Sequence, residues 1–338
     1  MLPQLPVYAR HPYARAGYVL RLFHEPGLLE SLKVFYSDHF VLPLPEGHRF
    51  PMAKYSMLRE RVARANICSP GEMRVPRPVG DGEILRAHKE GYLRRVDYGA
   101  LTQKEMRRIG FPWSVRMVER SRRASGGTLG ACLAALEEGF AANLAGGTHH
   151  AFAGRGEGYC VFNDSAIAAR AVRAAGLVER ILVVDTDVHQ GNGTASILRT
   201  DPSVFTFSIH GAKNFPFHKE ESDLDVSLPD GADDGEFLEA LEDGLEWALD
   251  ASRAELAIYL AGADPYKDDR LGRLAVSKEG LAERDSLVLE SCRERGIPVA
   301  LTMAGGYARK VEDTVDIHFR SIQRAADLLN LVKGKSHG

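Results

Sequence analysis

The segment "GGTHHAF" sets His149 and His150 side by side behind a glycine pair, and two adjacent histidines are costly to keep for packing alone. Further along, "VVDTDVHQGNGT" carries Asp185, Asp187, His189 and Asn192, "AGADPY" carries Asp264, and "AGGYA" carries Tyr307. In an extended chain, Asp187 and His189 would point to the same side, because side chains alternate with period two. With Asp264 they make three N and O ligands for an ion of the Zn²⁺ type. A catalytic site of that kind keeps a fourth position open for water or substrate. An isolated Asp-x-His reads as a solvated turn. Asp264 and the tandem histidines tip the reading to a metal.

These residues need elements to bring them together. "RILVVD", "SVFTFSI", "LAIYLAG" and "PVALTMA" are short runs rich in Val, Ile, Leu and Ala, bounded by turn signals, as buried parallel strands are. Helical patterns lie between them, such as "GEFLEALEDGLEWALDASR" from Gly235. Alternation of this kind predicts one α/β domain with a parallel sheet covered on both faces. The polar residues fall at or beyond the carboxyl ends of the four strands, where open α/β sheets place their ligand crevice.

An earlier strand is expected in "LKVFYSDHF" from Leu32, followed by a proline-broken surface loop, "VLPLPEGHRFP". A helix is expected from an N-cap at Ser114 to a stop at Gly146 and Gly147, which puts the paired histidines in a loop just past a helix. His210 reads equally as a satisfied strand-end histidine or as a catalytic one. His11, His24, His88, His318 and His337 have no motif around them and read as surface residues. Cys160 reads as a small buried residue, since no base is suggested for it.

The formal net charge of −3 lacks the basic footprint of nucleic-acid binding, and no apolar run approaches the roughly 20 residues that span a bilayer. Arg10, Arg15 and Arg21 accompany no uninterrupted apolar core, so no secretory signal is expected. Four scattered cysteines (Cys68, Cys132, Cys160, Cys292) with no CxxC pair argue against a disulfide framework and for a reducing cytoplasm. The acidic stretch "HKEESDLDVSLPDG" reads equally as a solvated loop or as a rim that attracts cationic substrates.

In order, "GGTHHAF", "GEGYCVFND", "VVDTDVHQGNGT", "AGADPY…DDRLGRLAVS" and "TMAGGYA" resemble the zinc-dependent histone deacetylase superfamily, which includes acetylpolyamine amidohydrolases and acetoin-utilisation proteins. The resemblance runs from about Val34 to about Ala326, with "DVHQGNG" and "DRLGRLAVS" most similar to class IV members and their bacterial relatives. It implies an arginase-like α/β fold in one domain over residues 31–338. That fold has an eight-stranded parallel sheet with helices on both faces, and residues 1–30 form an irregular, unassigned segment. It also implies one Zn²⁺ per chain on Asp187, His189 and Asp264. A structural K⁺ or Na⁺ would sit at Asp185, Asp187, His189, Ser208 and Ile209, largely on main-chain carbonyls.

The implied reaction is hydrolysis of acyl groups, acetyl or longer, from a lysine side chain or a small amine. His150 would shuttle the proton, and His149, bonded to Asp185, would act beside it. Tyr307 would hold the substrate carbonyl. Tyr159 with Gly158 would form one wall of the channel, with Phe215 opposite and Leu271 as an apolar lining. Many members carry a carboxylate where this chain has Asn192, whereas the class IV pattern has asparagine. Two rivals remain. Binuclear-manganese ureohydrolases need extra carboxylates on the histidine motifs, which "GGTHHAF" lacks. An inactive acyl-group sensor or scaffold would have no need of Tyr307.

Overall fold

A computed structural model of the chain describes residues 32–38, 41, 42, 44, 45 and 47–334. Residues 1–30, His11, His24 and His337 lie outside the described residues. Eight strands form one sheet: β1 (Lys33–Phe35), β2 (Met73–Arg74), β3 (Phe140–Asn143), β4 (Ile181–Asp185), β5 (Val204–Gly211), β6 (Leu224–Leu228), β7 (Leu256–Leu260) and β8 (Val299–Thr302). Their order is β2-β1-β3-β8-β7-β4-β5-β6, and every pairing is parallel. The expected eight-stranded parallel sheet is therefore present.

Ten helices accompany the sheet among the described residues: α1 (Ala53–Arg64), α2 (Asp81–Ile84), α3 (Glu90–Asp97), α4 (Gln103–Ile109), α5 (Val115–Glu138), α6 (Asp164–Ala174), α7 (Asn192–Leu198), α8 (Asp234–Ser252), α9 (Lys278–Glu294) and α10 (Val311–Gly334). Strand alternation sorts the core into two layers. Leu182, Val184 and Tyr259 pack with Leu241 of α8, Val288 of α9 and Ile322 of α10. Ile181, Val183 and Ile258 pack with Leu129 of α5, Ile167 of α6 and Leu93 of α3. Both faces are covered, which is why the central strands carry no polar alternation.

Two expectations fail. α5 starts as expected, with Ser114 accepting the Met117 N–H at 3.1 Å, but it stops at Gly139, whose φ is +92°. The next residues, "FAAN", form β3, all four of them buried between β1 and β8. Alanine favours helix in isolation, and here the slot in the sheet overrides that preference. The acidic stretch read as a loop contains β6, an edge strand paired with β5. The first correction matters for function, because His149 and His150 then follow a strand. β3, β8, β7 and β4 are consecutive in the sheet, so the loops after them crowd one short length of its carboxyl edge.

Beneath that edge, Arg284 and Asp285 of α9 are buried together. Arg284 donates to Asp285 Oδ1 through Nε and Nη2 at 3.1 and 2.8 Å, and through Nη1 to the Gly262 carbonyl after β7. The Tyr259 and Ser321 hydroxyls donate to the same carboxylate, each at 2.6 Å. Asp285→Ala would leave a dry guanidinium without its carboxylate, which should cost about 3–5 kcal/mol. Urea unfolding measures the loss. A cost under about 1 kcal/mol, the worth of an exposed pair, would show that the cation finds another acceptor.

Candidate active site

The loop after β3 is pinned before it reaches the histidines. Asp164, in the first turn of α6, accepts the N–H groups of Gly147 and Thr148 at 2.9 and 2.7 Å. His149 and His150 are buried with ring centroids 4.1 Å apart, and their Nδ1 atoms face different partners. His149 donates to Asp185 Oδ2 at 2.6 Å. His150 donates to Asn192 Oδ1 at 2.7 Å, and the same oxygen accepts the Gly193 N–H at 3.0 Å. That second bond identifies the Asn192 atom as the carbonyl oxygen. His150 therefore carries its proton on Nδ1, which leaves the Nε2 lone pair free.

The two histidines are driven apart in charge. Burial alone would lower the His149 pKa, but the Asp185 and Asp187 carboxylates outweigh it and lift His149 to about 9. His150 is pushed well below its ordinary value by burial and by the charges of His149 and His189, against a smaller upward pull from the Asn192 bond. One ring holds its proton at neutral pH. Its neighbour gives one up.

Asp187 and His189 converge with Asp264, though not by strand alternation, since β4 ends at Asp185. Two successive Asx-type bonds turn the chain: Asp185 Oδ1 accepts the Asp187 N–H at 3.1 Å, and Asp187 Oδ1 accepts the His189 N–H at 3.0 Å. The ligand atoms of Asp187, His189 and Asp264 lie within 4.8 Å of one another, and all three residues are buried. Their environment fits a divalent ion. Asp264 Oδ2 has no aligned hydrogen-bond donor, and His189 Nδ1 lies 3.3 Å from it. A Cβ at Gly305 would collide with that oxygen and lie 2.5 Å from Asp187 Oδ2, so the approach is kept clear. Burial and the Asp187 charge push Asp264 up to about 6. Burial opposes protonation of His189, yet its bonds to Asp187 and Asp264 raise it to about 10. The cluster holds a proton where two buried carboxylates call for a cation.

A cavity of about 580 Å³ opens over these groups. Phe50, Phe111, Tyr159, Phe215, Leu271 and Tyr307 line it. Phe215 stands edge-on to His150 at 4.9 Å, and Tyr159 lies 5.1 Å from Phe50 and 5.9 Å from Tyr307 between ring centroids. Gly158 and Tyr159 both take positive φ, +55° and +65°. A side chain at Gly158 would strike the His150 ring at 2.6 Å, and Tyr159 is held by its N–H to the Ile109 carbonyl at 2.7 Å. Burial and the Asp264 carboxylate raise the Tyr307 pKa well above the ordinary phenol, so this hydroxyl stays a donor. Ser208 pairs with Asp185 in parallel register, and Ile209 follows it, both buried.

Two histidines fall differently from their sequence reading. His88 and His318 are buried, not on the surface. His88 donates to the Phe152 carbonyl at 3.0 Å and accepts the Asn163 N–H at 2.9 Å, while His318 donates to the Gly305 carbonyl at 3.1 Å. His210 is a satisfied strand histidine, with Nδ1 and Nε2 at 3.0 and 3.2 Å from the Ser208 and Ser227 hydroxyls. Cys160 is buried, and burial raises its thiol pKa far above the ordinary value. Phe50, Phe111 and Asp269 were not singled out by sequence. Asp269 Oδ2 accepts the Tyr307 N–H at 2.6 Å, and Oδ1 accepts those of Leu271 and Gly272. The acidic residues between 218 and 228 do not line the cavity.

Residues 48–322 match the histone deacetylase domain. The chain belongs to the histone deacetylase family. An uncharacterized protein of Picosynechococcus sp. is 44% identical to this deacetylase-family chain over 295 residues, 87% of this chain and 98% of that one. Histone deacetylase 2 of Arabidopsis thaliana is 28% identical over 304 residues, covering 85% of this chain and 79% of the plant protein. The crystal structure of an HDAC homolog from Aquifex aeolicus superposes with a TM-score of 0.73 at 25% identity, over 89% of each chain. No helix among the described residues is long and apolar enough to cross a membrane.

The ligand cluster generates a binding test. Chelation should lower the melting temperature, and one equivalent of divalent ion should restore it. Free ion at about 100 times its Kd adds about 2.7 kcal/mol. Asp264→Asn should abolish the response. A melting temperature indifferent to both chelation and substitution would remove the cluster as a metal site.

Proposed function

We propose that this family member is a zinc-dependent amidohydrolase that removes acetyl or longer acyl groups from lysine side chains or from small amines. The observation that carries the reading is the assembly in one cavity of a three-ligand cluster, a neutral histidine with a free Nε2, and a tyrosine hydroxyl that keeps its proton. Zinc bound by Asp187, His189 and Asp264 would supply Lewis acidity to the acyl carbonyl and acidify water for attack.

The chain's own groups do the rest. His150 Nε2 takes the proton from the attacking water and returns it to the leaving amine nitrogen, a shuttle suited to an imidazole that is neutral at rest. His149, held by Asp185 and charged, places a fixed positive group beside the developing negative one. Tyr307 donates to the carbonyl oxygen as it gains charge. The aromatic walls admit an extended acyl-amine and exclude bulk water.

Among the described residues a single group of three ligands is present, which favours one ion over the two of a ureohydrolase. A K⁺ or Na⁺ at Asp185, Asp187, His189, Ser208 and Ile209 would stiffen the β4 and β5 ends. Asn192 is the feature that aligns the chain with class IV members. Four buried, free cysteines fit the cytoplasm.

Tyr307→Phe removes one hydroxyl and little volume. Metal content and melting temperature should hold while kcat falls by about 10²-fold or more. Unchanged turnover would reduce Tyr307 to wall packing.

Asn192→Asp tests the proton shuttle. A carboxylate 2.7 Å from Nδ1 would favour the charged imidazole and raise the His150 pKa. His150 must be neutral to act, so the acidic limb of the kcat/KM profile should move to higher pH. That limb reports the free enzyme as a macroscopic constant of the coupled site. A limb that stays or moves to lower pH would exclude His150 as the base.

A further inference from the structure

The cavity mouth is basic, although the chain as a whole carries a formal net charge of −3. A second cavity of about 370 Å³ adjoins the first, shares Leu271 and Tyr307 with it, and is otherwise lined by Arg49, Arg270 and Arg309. Arg107 and Arg108, at the end of α4, line the main cavity. All five arginines are exposed. Among the described residues none of the five has a carboxylate within ion-pair distance; Arg270 donates to the Arg309 carbonyl at 3.0 Å and Arg107 to the Gln103 carbonyl at 3.3 Å. Of the other lining cations, Lys213 and Arg273 share Asp230 at 3.9 and 3.1 Å, and Arg120 is buried over the Tyr55 ring. The carboxylate Glu157 in the lining faces Arg155 at 3.3 Å.

Arg59, Arg61 and Arg122 are each matched to an acid, Asp38, Asp316 and Asp97. The five arginines gathered around the two cavities are not. Like charges gathered without counter-charges repel, and the arrangement stabilises only what brings negative charge to it. The backbone at Arg270 and Arg309 is also fixed relative to Tyr307. The Arg270 N–H donates to the Tyr307 carbonyl at 3.2 Å and the Arg309 N–H to the Asp268 carbonyl at 3.0 Å. Asp269 ties both segments together by accepting the Tyr307 N–H. A guanidinium presents a planar fork that matches a carboxylate with two parallel bonds.

We propose that this mouth selects acyl-lysine substrates bearing a carboxylate beside the acylated side chain, with Arg49, Arg270 and Arg309 as the recognising group. The carboxylate belongs either to an acidic residue flanking the acyl-lysine in a peptide or to free acyl-lysine itself. The inference rests on the amidohydrolase reading above and deepens it. It disfavours acylated polyamines, whose remaining ammonium groups would meet the arginines.

The test uses the full chain loaded with zinc. One arm compares acetyl-lysine peptides, blocked at both ends, with aspartate, glutamine or arginine on either side of the acyl-lysine. A second arm compares free acetyl-lysine with its amide. Wild-type kcat/KM should favour the acidic peptide over the neutral one by about tenfold, chiefly through KM, with the arginine peptide lower still. The advantage should shrink as salt rises from about 0.05 to about 0.5 M. In Arg270→Gln/Arg309→Gln the acidic-to-neutral ratio should fall towards 1, and in Arg270→Lys/Arg309→Lys most of it should persist. A preference confined to the second arm assigns the carboxylate to free acyl-lysine; one seen in the first assigns it to a flanking residue.

Equal turnover of all substrates, a preference for the arginine peptide, or a ratio unchanged in the glutamine variant would overturn the proposal. Should no substrate turn over, the amidohydrolase reading has failed, and anisotropy of a fluorescent acidic peptide without an acyl group decides this one separately. Salt-sensitive binding that is lost in the glutamine variant upholds the anion surface. Absence of binding overturns it.

Discussion

Two carboxylates buried side by side, Asp187 and Asp264, are the constraint from which the rest of the edge follows. Neither can stay ionised without donors and positive charge around it. The backbone supplies the donors: Val188 N–H reaches Asp264 Oδ1 at 3.0 Å, and Gly305 N–H reaches Asp187 Oδ2 at 2.7 Å. Each bond ties one strand-end loop to another, so the loops after β4, β7 and β8 share one geometry. His189 sits between the two acids. The parallel sheet makes this possible, because only adjacent strands can aim their ends at one point.

The turn before Tyr307 shows how far that constraint spreads. Ala304 takes a φ of +51°, a conformation non-glycine residues rarely adopt. It is held from three sides. Lys54 of α1 donates to the carbonyls of Ala304 and Gly306 at 3.4 and 3.3 Å, His318 of α10 donates to that of Gly305, and Asp187 accepts the Gly305 N–H. Lys54 is itself buried, 5.3 Å from the Tyr307 ring centroid. The position of the hydroxyl is thus set by helices from both ends of the chain.

What could be read from sequence divides along the same line. Asp187, His189 and Asp264 were legible because each stands just beyond an apolar run, and the spacing around them is local. They converge, although Asx turns bring them together where strand alternation was expected. β3 was illegible, since "FAAN" has helical composition and becomes a strand only by filling the gap between β1 and β8. His88, His318 and Asp269 carry no motif; their roles are hydrogen bonds to backbone groups distant in sequence or in neighbouring loops. The basic mouth is drawn from positions 49, 107, 108, 270 and 309, which no window spans, while no acidic residue of the conspicuous acidic stretch lines either cavity.

Charge in the interior explains why an amide, and not an acid, faces His150. Asp185, Asp187 and Asp264 bring three negative charges into one buried region. A dication held there and the imidazolium of His149 would bring three positive ones to match them, with His150 uncharged. A fourth carboxylate at position 192 would require a fourth positive charge, and the nearest titratable acceptor is His150 itself, 2.7 Å away. Burial makes that compensation strong, because an unpaired charge there has no water to turn to. Asn192 keeps the hydrogen bond that fixes the tautomer and omits the charge that would hold the proton. His150 is thereby oriented by Oδ1, with Nε2 left free to accept.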